Sequence, residues 1–517
     1  MLTTSFSGVS ALRAIAVAAV LAAGLSACAA PKMKNELYRP APSYAMPPAD
    51  SGILHEMAQK VFADHGPEYS GFALLDSSYD GLAMRLALID SAQSSLDILT
   101  YLWYPDVSGR LILERAVRAA QRGVHVRLVI DDLLTAGQDA LMANLQNQPN
   151  IELRLFNPWR NRDLGSRAGE MIAEMERLNS RMHDKLLVAD GNAAVVGGRN
   201  IGDHYFGLSE AYNFHDLDLL GVGHIAHQAN QMFDHFWNSE WVVSAANLDT
   251  PPDPELARRQ WQGIQEKTRT AEQLAAFPRL PKDWTTELAA VEAGLHYGTS
   301  QLVFDEVSAP EITQSMIASM FALFGQARQE LLITNAYLVP AEPGIEFLEG
   351  LAQAGVDVKL LTNSLASHDV PAVNSHYEAW RDDILRAGAE LYEFRADAAI
   401  RSLVEVPPVT GEFVGLHTKA AVIDRRYAFI GSMNLDPRSA NINTEMGAIV
   451  DSPGLAEALA RLMERDMSGE NAWQVRLDEA GRLSWTNSDE TVTKQPSRDF
   501  MQEVMNVIFK IVPREQF

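Results

Sequence analysis

The 517-residue sequence predicts two fused, pseudo-symmetric α/β domains, each a mixed, mostly parallel sheet flanked by helices. Three observations carry this. The stretch "RMHDKLLVADGNAAVVGGRN", ending at Asn200, has a second copy, "GLHTKAAVIDRRYAFIGSMN", ending at Asn434. In both copies His to Lys is two residues, His to Asp seven and His to Asn seventeen. Upstream segments repeat too: "AAQRGVHVRLVIDD" from Ala119 parallels "LAQAGVDVKLLTNS" from Leu351, and the histidines and these glycines are 234 and 232 residues apart. Finally, apolar strand-like runs alternate with helical ones, which implies crossover connections and a sheet covered on both faces.

Taken in order, the chain opens with Arg13 as the only charge before an apolar run from Ala14 to Leu25. Twelve residues are too few to cross a bilayer, which takes about 20. They suit the core of a secretory signal over residues 1–27. Leu25-Ser26-Ala27-Cys28 follows, with the only cysteine of the chain, so no internal disulfide can form. This tetrapeptide resembles the bacterial lipobox, which implies acylation of Cys28 and a lipid-anchored, periplasm-facing protein of the cell envelope. Ala29 stands where an Asp would mark inner-membrane retention in enteric bacteria, so outer-membrane sorting is favoured. Residues 28–60 are rich in Pro and polar residues and read as a tether.

The first domain is expected over 61–250 and the second over 299–517, joined by a charged, helical connector over 251–298. Each domain runs from a helix to an apolar strand ("SSLDILTYLWY"; "QELLITNAYLV"), an amphipathic helix ("GRLILERAVRAAQRG"; "GIEFLEGLAQAG"), a second strand and then the His-Lys hairpin. The closing "FMQEVMNVIFKIV" has Met501, Val504, Met505, Ile508 and Val512 at helical spacing. That stripe can meet lipid, but it is expected to pack on the second domain. The aromatic residues Trp103, Tyr104, Trp237 and Trp241 suit either an acyl cleft or the core.

Composition narrows the function. Apolar residues make up 47% and the net charge is -24, which disfavours non-specific nucleic-acid binding, since phosphate contacts need clustered Lys and Arg. His183, Lys185 and Asp190, with His417, Lys419 and Asp424, are the candidate catalytic set. Residues i and i+2 of a strand share a face. Each half therefore offers an imidazole, a cation and, in Asn200 or Asn434, an amide donor. That set fits phosphodiester cleavage. One neutral imidazole attacks phosphorus, and the other supplies a proton to the leaving alkoxide. Lysines and amides hold the non-bridging oxygens, so no metal or cofactor is called for. Asp190 and Asp424 are read as stabilising the hairpin turns rather than touching substrate. Each His also needs an acceptor on its other nitrogen. Asp216 is expected to serve His183, with Asp218 as the fallback, and Glu445 to serve His417. His204, His215, His224 and His227 match no zinc spacing and read as structural.

The doubled His-x-Lys-x4-Asp, followed by Gly-Gly-Arg-Asn or Gly-Ser-Met-Asn, resembles the phospholipase D superfamily. "LNSRMHDKLLVADGNAAVVGGRNIGDHYF", "GSMNLDPRSANINTEMG", "TNSLASHDVPAVNSHY" and "WQVRLDEAGRLSW" are similar to the bacterial cardiolipin synthase C type, from about Gly71 onward. The resemblance implies two phospholipase D folds around one active site. It also implies a phosphatidyl-enzyme intermediate and transfer to a lipid alcohol, with phosphatidylglycerol and possibly phosphatidylethanolamine as substrates at a membrane. Carried over, His183 is the nucleophile and His417 the acid and then base, though pseudo-symmetry allows the reverse. Lys185, Lys419, Asn200 and Asn434 bind phosphate, and Ser432 adds a hydroxyl where the first half has Gly198. Hydrolysis to phosphatidic acid, a metal-independent nuclease and a non-catalytic lipid-binding lipoprotein are the rival readings.

Overall fold

The structure, a computed structural model, describes residues 33–34, 37–308 and 311–509. Cys28, the segment before it and Val512 lie outside the described residues. In the first half, the strands are β1 Tyr69–Leu75, β2 Ser95–Thr100, β3 His125–Asp131, β4 Ile151–Phe156, β5 Lys185–Ala189, β6 Ala193–Gly197, β7 Tyr212–His215, β8 Asp218–Gly223 and β9 Val242–Ser244. The second half has β10 His296–Phe304, a hairpin of β11 Glu306–Ser308 and β12 Glu311–Thr313, then β13 Glu330–Asn335, β14 Asp357–Asn363 and β15 Glu390–Phe394. It continues with β16 Phe413–Leu416, β17 Lys419–Ile423, β18 Tyr427–Gly431, β19 Met446–Asp451, β20 Ala472–Leu477, β21 Leu483–Thr486 and β22 Thr491–Val492.

Eighteen of these strands form one continuous sheet, in the order β9-β4-β3-β2-β5-β6-β8-β1-β10-β19-β18-β17-β13-β14-β15-β20-β21-β22. The order is a near palindrome about the antiparallel β1–β10 pair, as a duplicated domain requires. Strand direction corrects the expectation of a mostly parallel sheet: only β2–β3, β3–β4, β13–β14 and β14–β15 run parallel in it. A helical crossover joins the strands of each of those pairs. Within each His-Lys hairpin, β5–β6 or β17–β18, a three-residue turn joins the strands, and so tight a turn forces antiparallel pairing.

The helices that matter for the site are α1 Val107–Gln121, α2 Leu164–Ala173, α3 His224–Trp237, α4 Pro254–Thr270, α5 Ala341–Gln353, α6 Pro371–Tyr377, α7 Pro453–Asp466 and α8 Phe500–Phe509. Local chemistry sets their starts. Asp106 and Asp163 cap α1 and α2 through Gly109 and Ser166 N–H, while Asp253 and Ser452 cap α4 and α7, each followed by Pro at the first helical position. α3 and α7 lie across the junction of the halves. Leu219, Val196, Ala428, Ala448, Phe233 and Leu459 share one buried cluster there. This apolar seam fixes the two halves as one body.

The expected tether behaves differently. Met33 bridges Leu248, Tyr38 N–H donates to Asn247, Ser43 N–H to Asn238, Ala45 N–H to Asp234, and Ala49 N–H to the Asp190 carbonyl. From Met33 on, where it is described, this strap is bound to the first half because the side chains of that half satisfy its backbone groups.

Candidate active site

Each histidine stands just before the strand that begins with its lysine, β5 or β17. What fixes each one comes from the opposite half. His183 N–H donates to the Thr444 carbonyl (3.0 Å), and Met182 and Thr444 form a parallel bridge. In the related place, β16 pairs in parallel with β7, and His417 N–H donates to the His215 carbonyl (2.8 Å). Each pairing sets a histidine beside the carboxylate that follows its partner residue. His183 Nδ1 bonds Glu445 Oε2 at 2.8 Å, and His417 Nδ1 bonds Asp216 Oδ2 at 2.6 Å. The expected assignment of Asp216 to His183 and Glu445 to His417 is therefore reversed. The physical reason is strand pairing between the halves, which brings together residues 262 and 201 positions apart. Asp218, the fallback, is held by Arg85 (2.7 Å) and Arg199 (3.1 Å) in a buried ion cluster.

The segment ahead of each histidine is also tied down. Asp131, at the end of β3, accepts from Met182 N–H (3.0 Å) and Arg181 (3.2 Å). Asn363, at the end of β14, accepts from Leu416 N–H (2.9 Å) and donates to its carbonyl (2.7 Å). The carboxyl ends of the parallel strands therefore carry both histidines. Lys185 and Lys419 each donate from Nζ to the carbonyl of their own histidine and lie over Tyr101 and Tyr337, 5.4 and 5.8 Å from the ring centres. Tyr101 also meets His183 edge-on at 5.2 Å, and Tyr205 meets His417 the same way. These tyrosines, with Arg438 on Asn179 and Asp369 on the Tyr337 hydroxyl (2.9 Å), were not singled out in the sequence. A tyrosine close after the end of each apolar strand, in "LTYLWY" and "TNAYLV", was the available signal.

The remaining expected residues fall into place unevenly. Asn434 Oδ1 is buried without a hydrogen-bond partner. Asn200 is committed: Nδ2 donates to the Tyr205 hydroxyl (2.8 Å) and Oδ1 accepts from Leu102 N–H (3.2 Å). The Ser432 hydroxyl donates to Glu445 Oε2 (2.5 Å), which puts it behind the carboxylate instead of on phosphate. Gly198, its counterpart, has no room for a side chain, since a Cβ there would sit 2.3 Å from Asp216 Oδ1. Asp190 and Asp424 lie at the far turns of the hairpins. Asp190 accepts from Gln93, Ser94 and Ser95 N–H, and Asp424 from Arg328, Gln329 and Glu330 N–H. They are structural clamps. Among the other histidines, His215 pairs with Asp466 (2.7 Å) and His204 lies among Tyr104, Tyr205 and Phe214. Trp237 is core, with Arg154 over its face, and Trp241 stacks on Phe156. Trp103 and Tyr104 line an apolar cavity of about 330 Å³ with Leu113, Leu128 and Met142.

The two halves differ electrically. Burial and the lysine charges push His183 well down and His417 down to about 3, so both imidazoles are neutral near pH 7. Burial also lowers Lys185 to about 7 and Lys419 to about 8. It raises Glu445 to about 7, against the pull of Lys185. For Asp216 burial pushes up, but His417, Lys419 and Arg199 outweigh it and hold the carboxyl at about 2.

This pseudo-twofold arrangement of histidine, lysine and crossed carboxylate, on a duplicated α/β fold, defines a bilobal enzyme of the phospholipase D type. The sequence profile described as "Cardiolipin synthase, PLD-like domain" matches residues 86–237 and 320–467. The chain is 34% identical to "Cardiolipin synthase C" of Escherichia coli (strain K12), covering 87% of this chain and 96% of that one. It is 23% identical to "Cardiolipin synthase A" of Cronobacter sakazakii (strain ATCC BAA-894), over 83% and 76%. The crystal structure of phosphatidylserine synthase from Haemophilus influenzae Rd KW20 shares the fold, with TM-score 0.52 at 15% identity over 79% of this chain and 89% of that one. The chain belongs to the phospholipase D-like cardiolipin synthase family and is an enzyme of the phosphatidyltransferase type.

Proposed function

We propose that the chain transfers a phosphatidyl group from one phospholipid to another and so makes cardiolipin. The observation that carries this reading is the crossed pair of oriented histidines, His183 on Glu445 and His417 on Asp216, with a lysine beside each. Nδ1–H donation to a carboxylate leaves Nε2 of each neutral ring as a base or nucleophile. His183 is the nucleophile: Nε2 forms a bond to phosphorus, and the bond from phosphorus to the donor's head-group oxygen breaks. His417, protonated at Nε2 once the phosphodiester is bound, gives that proton to the leaving oxygen. The ionised Asp216 supports this role, because a carboxylate held at about 2 stabilises an imidazolium, whereas Glu445 near 7 does so less well.

Burial and the lysine charges hold His417 neutral, and the charge of a bound phosphodiester offsets the lysines so that the ring takes up a proton. In the second half-reaction His417 takes the proton of a hydroxyl of phosphatidylglycerol, whose oxygen attacks phosphorus as the P–N bond breaks. Phosphatidylglycerol or phosphatidylethanolamine serves as donor. Lys185, Lys419 and Asn434 hold the non-bridging oxygens as charge builds. Acylation at Cys28 anchors the enzyme, facing the periplasm, in the outer membrane.

Cellular lipids compared by mass spectrometry test the proposal. Expression of the wild-type chain is expected to raise cardiolipin, and His183→Ala and His417→Ala are each expected to abolish the rise. Phosphatidic acid accumulating alone would replace transfer by hydrolysis. After brief exposure to phosphatidylglycerol labelled in the phosphatidyl phosphate, label is expected on protein in His417→Ala and not in His183→Ala. Label in the opposite variant would exchange the two roles. Cys28→Ser is expected to release the protein from the membrane fraction.

A further inference from the structure

The chain's closing helix is turned inside out. On α8 the polar residues Gln502 and Asn506 face the protein and are buried. Gln502 Nε2 donates to the Leu365 carbonyl, and Asn506 bonds Asn374 (2.9 Å) and Glu378 (2.7 Å). Phe500, Met501, Val507 and Ile508 point outward and are 76, 64, 62 and 50% exposed. The expectation that Met501 and Ile508 pack on the second domain is thereby overturned. These bonds fix the helix register, so the apolar face cannot roll inward without stripping buried amides of their partners.

In the first half α2, with the turn of helix after it, shows the same inversion. Arg167 and Glu170 are buried, while Leu164, Ile172 and Met175 are 75, 82 and 54% exposed. Half of the large apolar side chains exposed among the described residues belong to these two places. Both lie at the carboxyl ends of the parallel strands. α2 follows β4, and α8 packs on α6, which follows β14. Those are the ends that carry His183 and His417. The N-terminal strap comes in at the same place, since Met33 N–H donates to the carbonyl of Arg160, four residues before Leu164.

We infer that α2 and α8 form a bilayer-docking surface on either side of the active-site mouth. This rests on the phospholipid reading above. The occupant is a lipid surface, because the side chains offered are aliphatic and aromatic, they flank the site of phospholipid chemistry, and the strap from Cys28 reaches the body beside α2. Insertion of apolar side chains suits a chain of net charge -24, which gains little from anionic head groups.

Hydrogen–deuterium exchange on the full chain, with and without vesicles of equal parts phosphatidylglycerol and phosphatidylethanolamine, tests the docking directly. Slowing of at least fivefold is expected in 164–175 and 500–509. In parallel, Phe500→Ser/Met501→Gln/Val507→Gln/Ile508→Gln and Leu164→Gln/Ile172→Gln/Met175→Gln are each expected to lower turnover of vesicle lipid at least tenfold. Turnover of a short-chain, monomeric phosphatidylglycerol is expected to stay unchanged. Unchanged exchange at both helices, or equal turnover loss on both substrates, would overturn the docking surface, as would variants with full activity on vesicles. A wild-type chain that turns over neither lipid while both helices gain protection would refute the catalytic reading and leave the docking intact.

Discussion

A single missing side chain sets up one half of the site. Gly198 leaves the space that the Asp216 carboxylate fills, and that carboxylate orients His417. Gly198→Ala should push Asp216 off the ring and lower activity by about 100-fold, the order expected for an ångström-scale misplacement. The overall fold should be unchanged by circular dichroism. Ser432→Gly, which removes one donor to Glu445, should cost far less. The same residues give the pH profile its shape. Glu445, raised to about 7 by burial, must be ionised to accept the His183 proton, so activity rises with pH up to that value. Lys185 and Lys419, lowered to about 7 and 8 by burial, must be charged to hold phosphate, so activity falls as pH climbs beyond them. kcat/KM should trace a narrow bell near neutrality, and a flat profile between about pH 6 and 9 would contradict this assignment.

At the level of elements, the hairpins do two jobs with two ends. One end presents His and Lys. At the other, Asp190 or Asp424 sits in the left-handed turn (φ 56° and 50°) and gathers three backbone N–H groups from the loop entering β2 or β13. Asp190→Ala should destabilise the protein by about 3 kcal/mol in urea unfolding, since it orphans those donors and strains the turn. Asp190→Asn should recover part of that. Much of this was legible. The paired spacing located both hairpins, and the alternation of apolar and amphipathic runs found β2, β3, β13, β14 and the helices α1 and α5. Strand direction was not, because a hairpin and a crossover strand show the same apolar run. Nor was the carboxylate pairing. Met182 meets Thr444, and β7 meets β16, through backbone bonds between segments that carry no mutual sequence signal. Local spacing favoured the nearer acid in each half, and the fold chose the farther one. The inverted polarity of α8 escaped for a related reason: a helical stripe reveals a face, not which side of it water occupies.

Taken whole, the molecule has no self-sufficient half. Each histidine borrows its carboxylate, and the seam under α3 and α7 is built from both sides. Separately produced pieces ending and beginning near Leu295 should therefore be inactive alone and prone to associate through exposed apolar surface. Produced together, they should regain measurable transfer in the lipid assay. Activity restored by either piece alone would contradict the crossed arrangement. Among the described residues no helix is long and apolar enough to cross a membrane.

The strap has a consequence for the anchor proposed at Cys28. Met33 is already bonded to the body, and only five Cα–Cα steps separate it from Cys28. A fully stretched chain of that length reaches about 17 Å. With acyl chains on Cys28, the enzyme would be kept on a leash of no more than that length. It would have one side permanently toward the lipid and no freedom to survey the space beyond.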